Sequence, residues 1–375
     1  MTLNTKNTKS PKILHVVISM VVGGAERLVY DMVKYPAFAD NQPIVCCMDS
    51  IGELGDKLIK DGYKVYCKGR RPGLDLDMVS WLRDIIKRER VDVIHAHQYS
   101  PLFYAVPAAV LAGRVKVVYT EHGRFFPERK SWKRSLFNPL LAIGVDHIVS
   151  ISEATAKAMA TYDNFPLHRI KVIHNGIDCS GMNPVFDKRF KRQELGISES
   201  CYVIGTAARL NSIKNIQMML RVLKLVLQQV PDTCLVIAGQ GEEEERLKAE
   251  AHELGVFDCV KFIGLRFDLP EIYQLFDVFL LTSYSEGISV TLLESMACGV
   301  PSVVTDVGGN REVVEEGKTG FMVRVDEDVC MARITCELLE NHDSAIKIGN
   351  SAKIRVQERF SVKAMMESYG VLYNE

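Results

Sequence analysis

Short apolar runs alternate with helically spaced apolar positions along most of the chain. The runs near 12–19, 43–48, 64–67, 91–96, 116–120 and 146–151 are bounded by turn residues, which predicts strands buried on both faces. Between them, helical patterns fall near 25–35, 53–61, 77–89, 101–112 and 153–162. Strand alternating with helix predicts a parallel sheet covered on both sides. After the stretch RIKVIHNGID, which ends at Asp178, the period lapses through 179–199, and this reads as a linker. The alternation restarts at 202–210, with strands near 233–238, 259–263, 277–282 and 302–305. Helical patterns near 214–230, 242–255, 268–276 and 289–298 separate them, and further ones near 326–341, 343–358 and 361–372 close the chain. A length of 375 residues suits two domains of this class. The expected division is a disordered tail over 1–10, a Rossmann-like domain over 11–178, the linker 179–199, and a second Rossmann-like domain over 200–358. A C-terminal helix within 359–375 is expected to pack back towards the first domain.

Chemistry concentrates in 283-SYSEGISVTLLESMACGVPSVVTDVGG-309. It follows a buried strand, passes Glu286 and Gly287 in a loop, and enters a helix for which Ser289 is the expected N-cap. The helix should run from Val290 to Cys298 and stop at Gly299, with Pro301 beyond. A second strand, 302–305, leads to the loop holding Gly308 and Gly309. Open parallel sheets bind ligands outside the carboxyl ends of their strands, where this loop lies. A helix N-terminus there suits a phosphate. Glu294, about one turn into the helix, is placed for the two hydroxyls of a ribose, and Glu286 for a sugar beyond the phosphates. Two glutamates at this spacing are also what a solvated surface helix carries.

The rest of the chain supplies further candidates. Gly23 and Gly24 let backbone approach a ligand where the first helix begins, but GxGxxG is missing, as is the acidic residue that closes a dinucleotide site. Polar residues end successive strands: His95 and His97, then Glu121, His122 and Gly123, then Ser152 and Glu153. A lone histidine is most often structural, yet several polar strand ends at one edge mark a site, and His122 is the strongest of them. Arg209 closes one strand, and Lys214 and Asn215 open the following helix. Two cations there suit a diphosphate. The Gly-x-Gly at 239–241 resembles a phosphate loop, but four glutamates follow it and would repel a pyrophosphate. Asp75 and Asp77 read as a cap and turn before a metal pair.

Ten cysteines show neither a CxxC pair nor a spacing with histidine that would ligate zinc, so buried thiols in a reducing cytosol fit best. The run 13-ILHVVISMVV-22 follows three lysines as in a signal peptide, but it contains His15 and continues into Gly23-Gly24, which favours a first strand. No apolar run reaches the ~18 residues that span a bilayer. The net charge of −1 hides an asymmetry: residues 1–178 carry 25 Lys and Arg against 18 Asp and Glu, and the excess reverses in the remainder. Within the basic half, 124–141 interleaves Arg124, Arg129, Lys130, Lys133 and Arg134 with Phe125, Phe126, Trp132, Leu136 and Phe137. It reads either as a solvated amphipathic helix or as an interfacial segment drawn to anionic headgroups. Nucleic acid is a poor partner for a chain with no nucleic-acid motif.

Together these motifs resemble a family. Gly23-Gly24-Ala25-Glu26, His122-Gly123, Asn175-Gly176-Ile177-Asp178, Arg209 with Lys214-Asn215, Gly239-x-Gly241, Glu286 with Glu294, and Gly308-Gly309 are similar to those of retaining glycosyltransferases of family four, also called glycosyl transferases group one. The resemblance covers nearly all of 12–372 and implies the GT-B fold: α/β, two facing Rossmann-like domains with parallel sheets and an inter-domain cleft. It implies that Glu294 holds the ribose, that Arg209 and Lys214 hold the diphosphate, and that Gly24 approaches the phosphates or the sugar. Gly287, Ile288, Ser289 and Val290 would line the donor beside Glu286, which would contact the sugar hydroxyls. His122 would lie near the sugar ring. Catalysis would need no cofactor and no metal. Many relatives carry Phe-Gly or Phe-Pro where Ile288-Ser289 stand here, which leaves the sugar open. The expected activity moves a hexose or N-acetylhexosamine from a nucleotide sugar, UDP-sugar before GDP-mannose, to a glycan on a polyprenyl diphosphate, as in surface polysaccharide or lipopolysaccharide synthesis. The expected site of action is the cytoplasm, peripheral to an anionic membrane. A GT-B sugar-nucleotide 2-epimerase and an NAD-dependent two-domain oxidoreductase are the alternatives.

Overall fold

The computed structural model describes residues 10–35, 41–123 and 130–375. The expected tail over 1–10, Ser10 apart, and residues 124–129 of the basic stretch lie outside them. The chain divides into two compact units, 1–175 with 362–375, and 176–361.

The first unit is built on a seven-stranded parallel sheet. Its strands are β1 (Ile13–Ser19), β2 (Ile44–Ser50), β3 (Lys64–Cys67), β4 (Val93–His97), β5 (Lys116–Glu121), β6 (His147–Ser150) and β7 (Ile170–Val172). They lie in the order β3-β2-β1-β4-β5-β6-β7, so the strand order reverses between β1 and β4. The central strands are apolar on both faces because helices cover both. Leu14, Val16 and Cys46 pack into one core layer, whereas Val17, Val45 and Cys47 pack into the other. That two-sided burial explains the adjacent cysteines. All ten thiols are free.

The second unit repeats the architecture with six parallel strands: β8 (Tyr202–Ala207), β9 (Thr233–Ala238), β10 (Val260–Gly264), β11 (Val278–Leu281), β12 (Ser302–Thr305) and β13 (Phe321–Val323). Their order is β10-β9-β8-β11-β12-β13, reversing between β8 and β11. Its core joins Ile204, Leu235 and Leu280 of the sheet to Met219, Leu223 and Leu339 of the covering helices.

Three elements depart from the sequence reading. β7 and β13 are three-residue edge strands, too short to show a period; short edges also discourage pairing between molecules. The stretch 179–199, read as a linker, belongs to the second unit and holds the helix Lys188–Glu194, capped by Asp187. Its charge-rich sequence has no apolar face to reveal it. Lys191 there pairs with Asp268 and Glu271, each at 2.8 Å.

The C-terminal helix Val362–Asn374 belongs to the first unit. Its Tyr369 and Tyr373 are buried, with hydroxyls 2.9 Å from Thr120 Oγ1 and 2.7 Å from His95 Nδ1.

Candidate active site

Most of the charged donor-binding candidates in the second unit gather where β8 and β11 diverge. Beyond β8 the chain passes Arg209, makes a short 3-10 turn over Ser212–Lys214, and enters the helix Ile216–Val226. Asn215 joins turn to helix with φ +47°, a left-handed conformation that Asn tolerates. Thr282, just beyond β11, donates to the carbonyls of Lys214 (3.0 Å) and Asn215 (2.8 Å), and Tyr284 N donates to Ile213 O at 2.8 Å. The loops following β8 and β11 are therefore laced together.

Lys214 Nζ donates to Glu286 Oε1 at 2.6 Å, and Ser283 Oγ donates to the same oxygen at 2.6 Å. The Glu286 side chain is 8% exposed and that of Lys214 is 22% exposed, so the pair is only partly solvated. Arg209 is exposed, and among the described residues its guanidinium has no hydrogen-bond or ion-pair partner. Its charge is open to solvent.

Two glycine pairs hold these loops close. A Cβ on Gly308 would stand 1.9 Å from Glu286 O, and one on Gly309 would stand 1.7 Å from Gly287 O. Gly309 N donates to Glu286 O at 3.2 Å. The Gly-Gly loop after β12 therefore supports the Glu286-Gly287 backbone from below. Gly239 and Gly241 do the same for the Arg209 loop, where their Cβ atoms would meet Ala208 O at 1.9 Å and Leu210 O at 2.2 Å. The Gly-x-Gly thus serves close backbone packing.

The helix after Glu286 spans Val290–Ala297, with Ser289 as its N-cap: Ser289 Oγ accepts from Leu292 N at 3.3 Å. Gly299 takes φ +80° beyond its end. Ile288 and Val290 are buried, so they fix the helix entrance through their side chains and offer only backbone outward. Glu294 is buried, and Tyr273 Oη donates to its Oε2 at 2.9 Å. Burial, then the adjacent carboxylate, pushes the Tyr273 phenol well above its ordinary pKa, so it stays a donor. Tyr273 is not legible as a site residue, because it lies 21 residues from Glu294 in a different element, whereas Ser283 stands three residues before Glu286 within the same loop.

In the first unit, Gly24 opens the helix Gly24–Val33 and is exposed, with Gly23 as a cap lacking a side chain. His122 follows β5. Its Nε2 lies 2.8 Å from His97 Nδ1, and His97 Nε2 lies 2.9 Å from His15 Nδ1. Burial lowers the pKa of His122 to about 4 and of His15 to about 3, and pushes His97 and His95 well below the ordinary value. All four imidazoles are neutral near pH 7. His122 Nδ1 is buried and has no hydrogen-bond partner among the described residues. An orphaned buried polar atom costs about 1–3 kcal/mol unless something meets it.

His15, His95 and His97 also bring three potential metal-ligand atoms within 4.8 Å of one another, a cluster their scattered sequence positions do not reveal. Their nitrogens are largely committed within the protein. His95 contacts Tyr373 and Thr120, while His15 and His97 contact each other. A metal would have to break these bonds. Asp75 is likewise engaged, accepting from Arg71 and Lys68; Asp77 pairs with Arg71, and neither carboxylate caps the helix Asp77–Glu89, whose N-cap Leu76 has no side-chain hydrogen bond.

Residues 187–355 match the family described as Glycosyl transferases group 1, and residues 22–180 match Glycosyltransferase Family 4. The chain belongs to this glycosyltransferase family. The transferase is 28% identical over 316 residues to the N-acetyl-alpha-D-glucosaminyl L-malate synthase of Bacillus anthracis, covering 80% of this chain and 79% of that one. It is 27% identical to the UDP-Gal:alpha-D-GlcNAc-diphosphoundecaprenol alpha-1,3-galactosyltransferase of Escherichia coli, covering 86% of each. Among solved structures it superposes on Anabaena HepE in complex with UDP-glucose, with a TM-score of 0.86 and 26% identity, over 97% of this chain and all of that one. The transferase has the GT-B fold. The oxidoreductase alternative falls with that membership.

Proposed function

We propose that the transferase is a retaining enzyme moving a hexose or N-acetylhexosamine from a UDP-sugar to a polyprenyl-diphosphate-linked glycan. The observation that carries this is the group at the β8/β11 switch point. A Lys214–Glu286 pair and Arg209, unpaired among the described residues, lie on loops laced together at the carboxyl ends of a parallel sheet, where such sheets bind ligands. The diphosphate would lie on Arg209, Lys214 and the backbone N–H groups of Gly287–Val290 that lead into the helix. Glu294, held by Tyr273, would accept from the ribose hydroxyls. Glu286 would accept from the sugar while Lys214 joins it to the phosphates. Gly24 and His122 would supply the first unit's contacts to phosphate and sugar.

In the reaction, the acceptor hydroxyl oxygen bonds to the anomeric carbon on the face that the nucleotide leaves. The anomeric carbon–phosphate oxygen bond breaks, the electron pair stays on UDP, and the hydroxyl proton passes to the departing phosphate. No side chain acts as a nucleophile. The developing negative charge is met by Arg209 and Lys214, so we propose that no metal is required and that transfer persists in excess EDTA. A fixed cation or dipole aimed at charge developing in the transition state is the strongest single catalytic device.

The names of relatives support the substrate class. One acts on a diphosphoundecaprenol-linked acceptor with UDP-Gal, and HepE was solved with UDP-glucose. A surface feature agrees with a lipid-linked acceptor. The helix Trp132–Ile143 exposes Trp132, Leu136, Leu140 and Ile143 at helical spacing, beside exposed Lys130 and Lys133. We propose peripheral docking on the anionic cytoplasmic leaflet through this stripe. Arg134 takes no part, since it pairs with Asp163 and lies over the Tyr99 ring. Among the described residues no helix is long and apolar enough to cross a membrane.

A thermal-shift panel of UDP-, GDP- and ADP-sugars on the purified protein tests the donor. A ligand at 100 times its Kd stabilises by about 2.7 kcal/mol. Stabilisation by UDP-sugars is expected. Stabilisation by GDP- or ADP-sugars alone would overturn the assignment. Conversion of the donor sugar to an epimer without transfer would instead establish the 2-epimerase reading.

A further inference from the structure

β1, β4 and β5 bring four histidines onto one face of the first sheet. His15 pairs with His95 across β1 and β4, and His97 pairs with Thr120 across β4 and β5. Since side chains alternate along a strand, His95 shares its face with His97, and Thr120 with His122 two residues on. Three of these rings form a line: His122 Nε2 to His97 Nδ1 at 2.8 Å, then His97 Nε2 to His15 Nδ1 at 2.9 Å. Neutral imidazole carries one N–H and one bare nitrogen. Each bond needs one of each, and each bond runs from an ε nitrogen to a δ nitrogen. If His122 is protonated at Nε2, His97 must be bare at Nδ1 and protonated at Nε2, and His15 must follow. The opposite choice at His122 reverses both bonds.

We propose that His97 and His15 are positioning residues that set the hydrogen-bonding role of His122: the three rings share one tautomer, and that tautomer decides whether the unpartnered His122 Nδ1 accepts from a ligand hydroxyl or donates to it. Nδ1 is the open end of the line, buried and without a partner among the described residues. Changing its role without charging a ring shifts both inner protons one bond along, as one proton enters at one end and another leaves at the far end. The role of His122 Nδ1 therefore changes only together with the tautomers of His97 and His15. Only the identity of the hydroxyl, that of the donor sugar, rests on the transferase reading above.

Long-range ¹H–¹⁵N correlation spectra of the full-length protein labelled at histidine, taken near pH 7, read the tautomers directly and need no substrate. The same single tautomer is expected at residues 15, 97 and 122. Different tautomers among the three in the wild type would overturn the proposal. His15→Phe keeps a ring and removes the last nitrogen of the line; it should shift the ¹⁵N pattern of His122, which His15 does not touch. His15→Asn places an amide that can donate or accept as many bonds from Cα as Nδ1, so residues 97 and 122 should again share one tautomer. An unchanged His122 in a folded His15→Phe would also overturn it, and the wild-type spectrum still decides if that variant does not fold. Transfer by His15→Phe should fall roughly tenfold or more, as for other groups that orient a contacting imidazole, while its affinity for UDP is unchanged. Loss of the tautomer pattern with transfer intact would sink this inference alone. Absence of transfer in a wild type with the expected pattern would sink the transferase reading alone.

Discussion

Glu286 and Glu294 look alike in sequence, but they are held in different ways, and their substitutions should fail differently. Glu286 is tied to Lys214 and Ser283 on a loop, whereas Glu294 is buried on a helix under the Tyr273 hydroxyl. With the proposed contacts, Glu286→Ala should lose mostly turnover, about 10²-fold or more, as for other preorganised transition-state contacts. Glu294→Ala should mainly weaken nucleotide binding, by about 1.5–3 kcal/mol for charge-assisted hydrogen bonds. Steady-state kinetics with separate donor titrations would distinguish the two; near-wild-type kcat in Glu286→Ala would refute its role. The buried imidazoles carry a second prediction. Their folded pKa values lie below the unfolded value of 6.5, at about 4 for His122 and about 3 for His15. The unfolded chain therefore binds protons that the folded one refuses as pH falls below 6.5. Their contribution is complete above that pH and is lost on acidification towards 4, at up to about 1.4 kcal/mol per pH unit for each ring. The Tm should decline between pH 6.5 and 4.5, before carboxylates such as Glu89, held at about 2, begin to titrate in the folded state. A Tm flat over that interval would contradict the burial.

At the scale of elements, glycine contacts and caps place the site. Gly309→Ala would drive a Cβ into Gly287 O, so the Glu286 loop must move. Transfer should fall by roughly 10²-fold, since misplacing a catalytic contact by about an ångström carries that cost. A crystal structure of the variant with Glu286 unmoved would count against this support. Ser289→Ala should cost about 1 kcal/mol of stability, the usual value for a lost N-cap, as read by urea denaturation. Much of this was legible beforehand. Ser289, Gly299 and Pro301 punctuate the helix after Glu286 through local chemistry alone, and most strands of both sheets follow from unbroken apolar runs. What stayed hidden was non-local or short. Tyr273 meets Glu294 and His15 meets His97 only through tertiary folding, and β7 and β13 hold three residues each. The Gly-x-Gly at 239–241, which the glutamates after it argue against as a phosphate loop, packs two loops together instead.

At the scale of the whole molecule, each unit is a parallel sheet with its candidate site residues at a reversal of strand order: Lys214 and Glu286 at β8/β11, and the histidine line beginning at β1/β4. The excess of basic residues before 178 and the stripe from Trp132 to Ile143 belong to the unit proposed to meet the lipid-linked acceptor. Vesicle sedimentation should show binding to anionic but weakly to neutral bilayers. Lys130→Glu with Lys133→Glu should weaken it by about 1 kcal/mol or more per basic residue removed, and equal binding to both bilayers would refute an electrostatic contribution. The central claim is that the second unit holds a uridine nucleotide through Glu294, with Glu286 kept for the sugar. Isothermal titration of UDP, which has no sugar, into wild type, Glu294→Ala and Glu286→Ala tests it most directly. The account predicts binding to wild type, at least tenfold weaker binding to Glu294→Ala, and near-wild-type binding to Glu286→Ala. No binding of UDP to wild type, or equal affinity in wild type and Glu294→Ala, would contradict it.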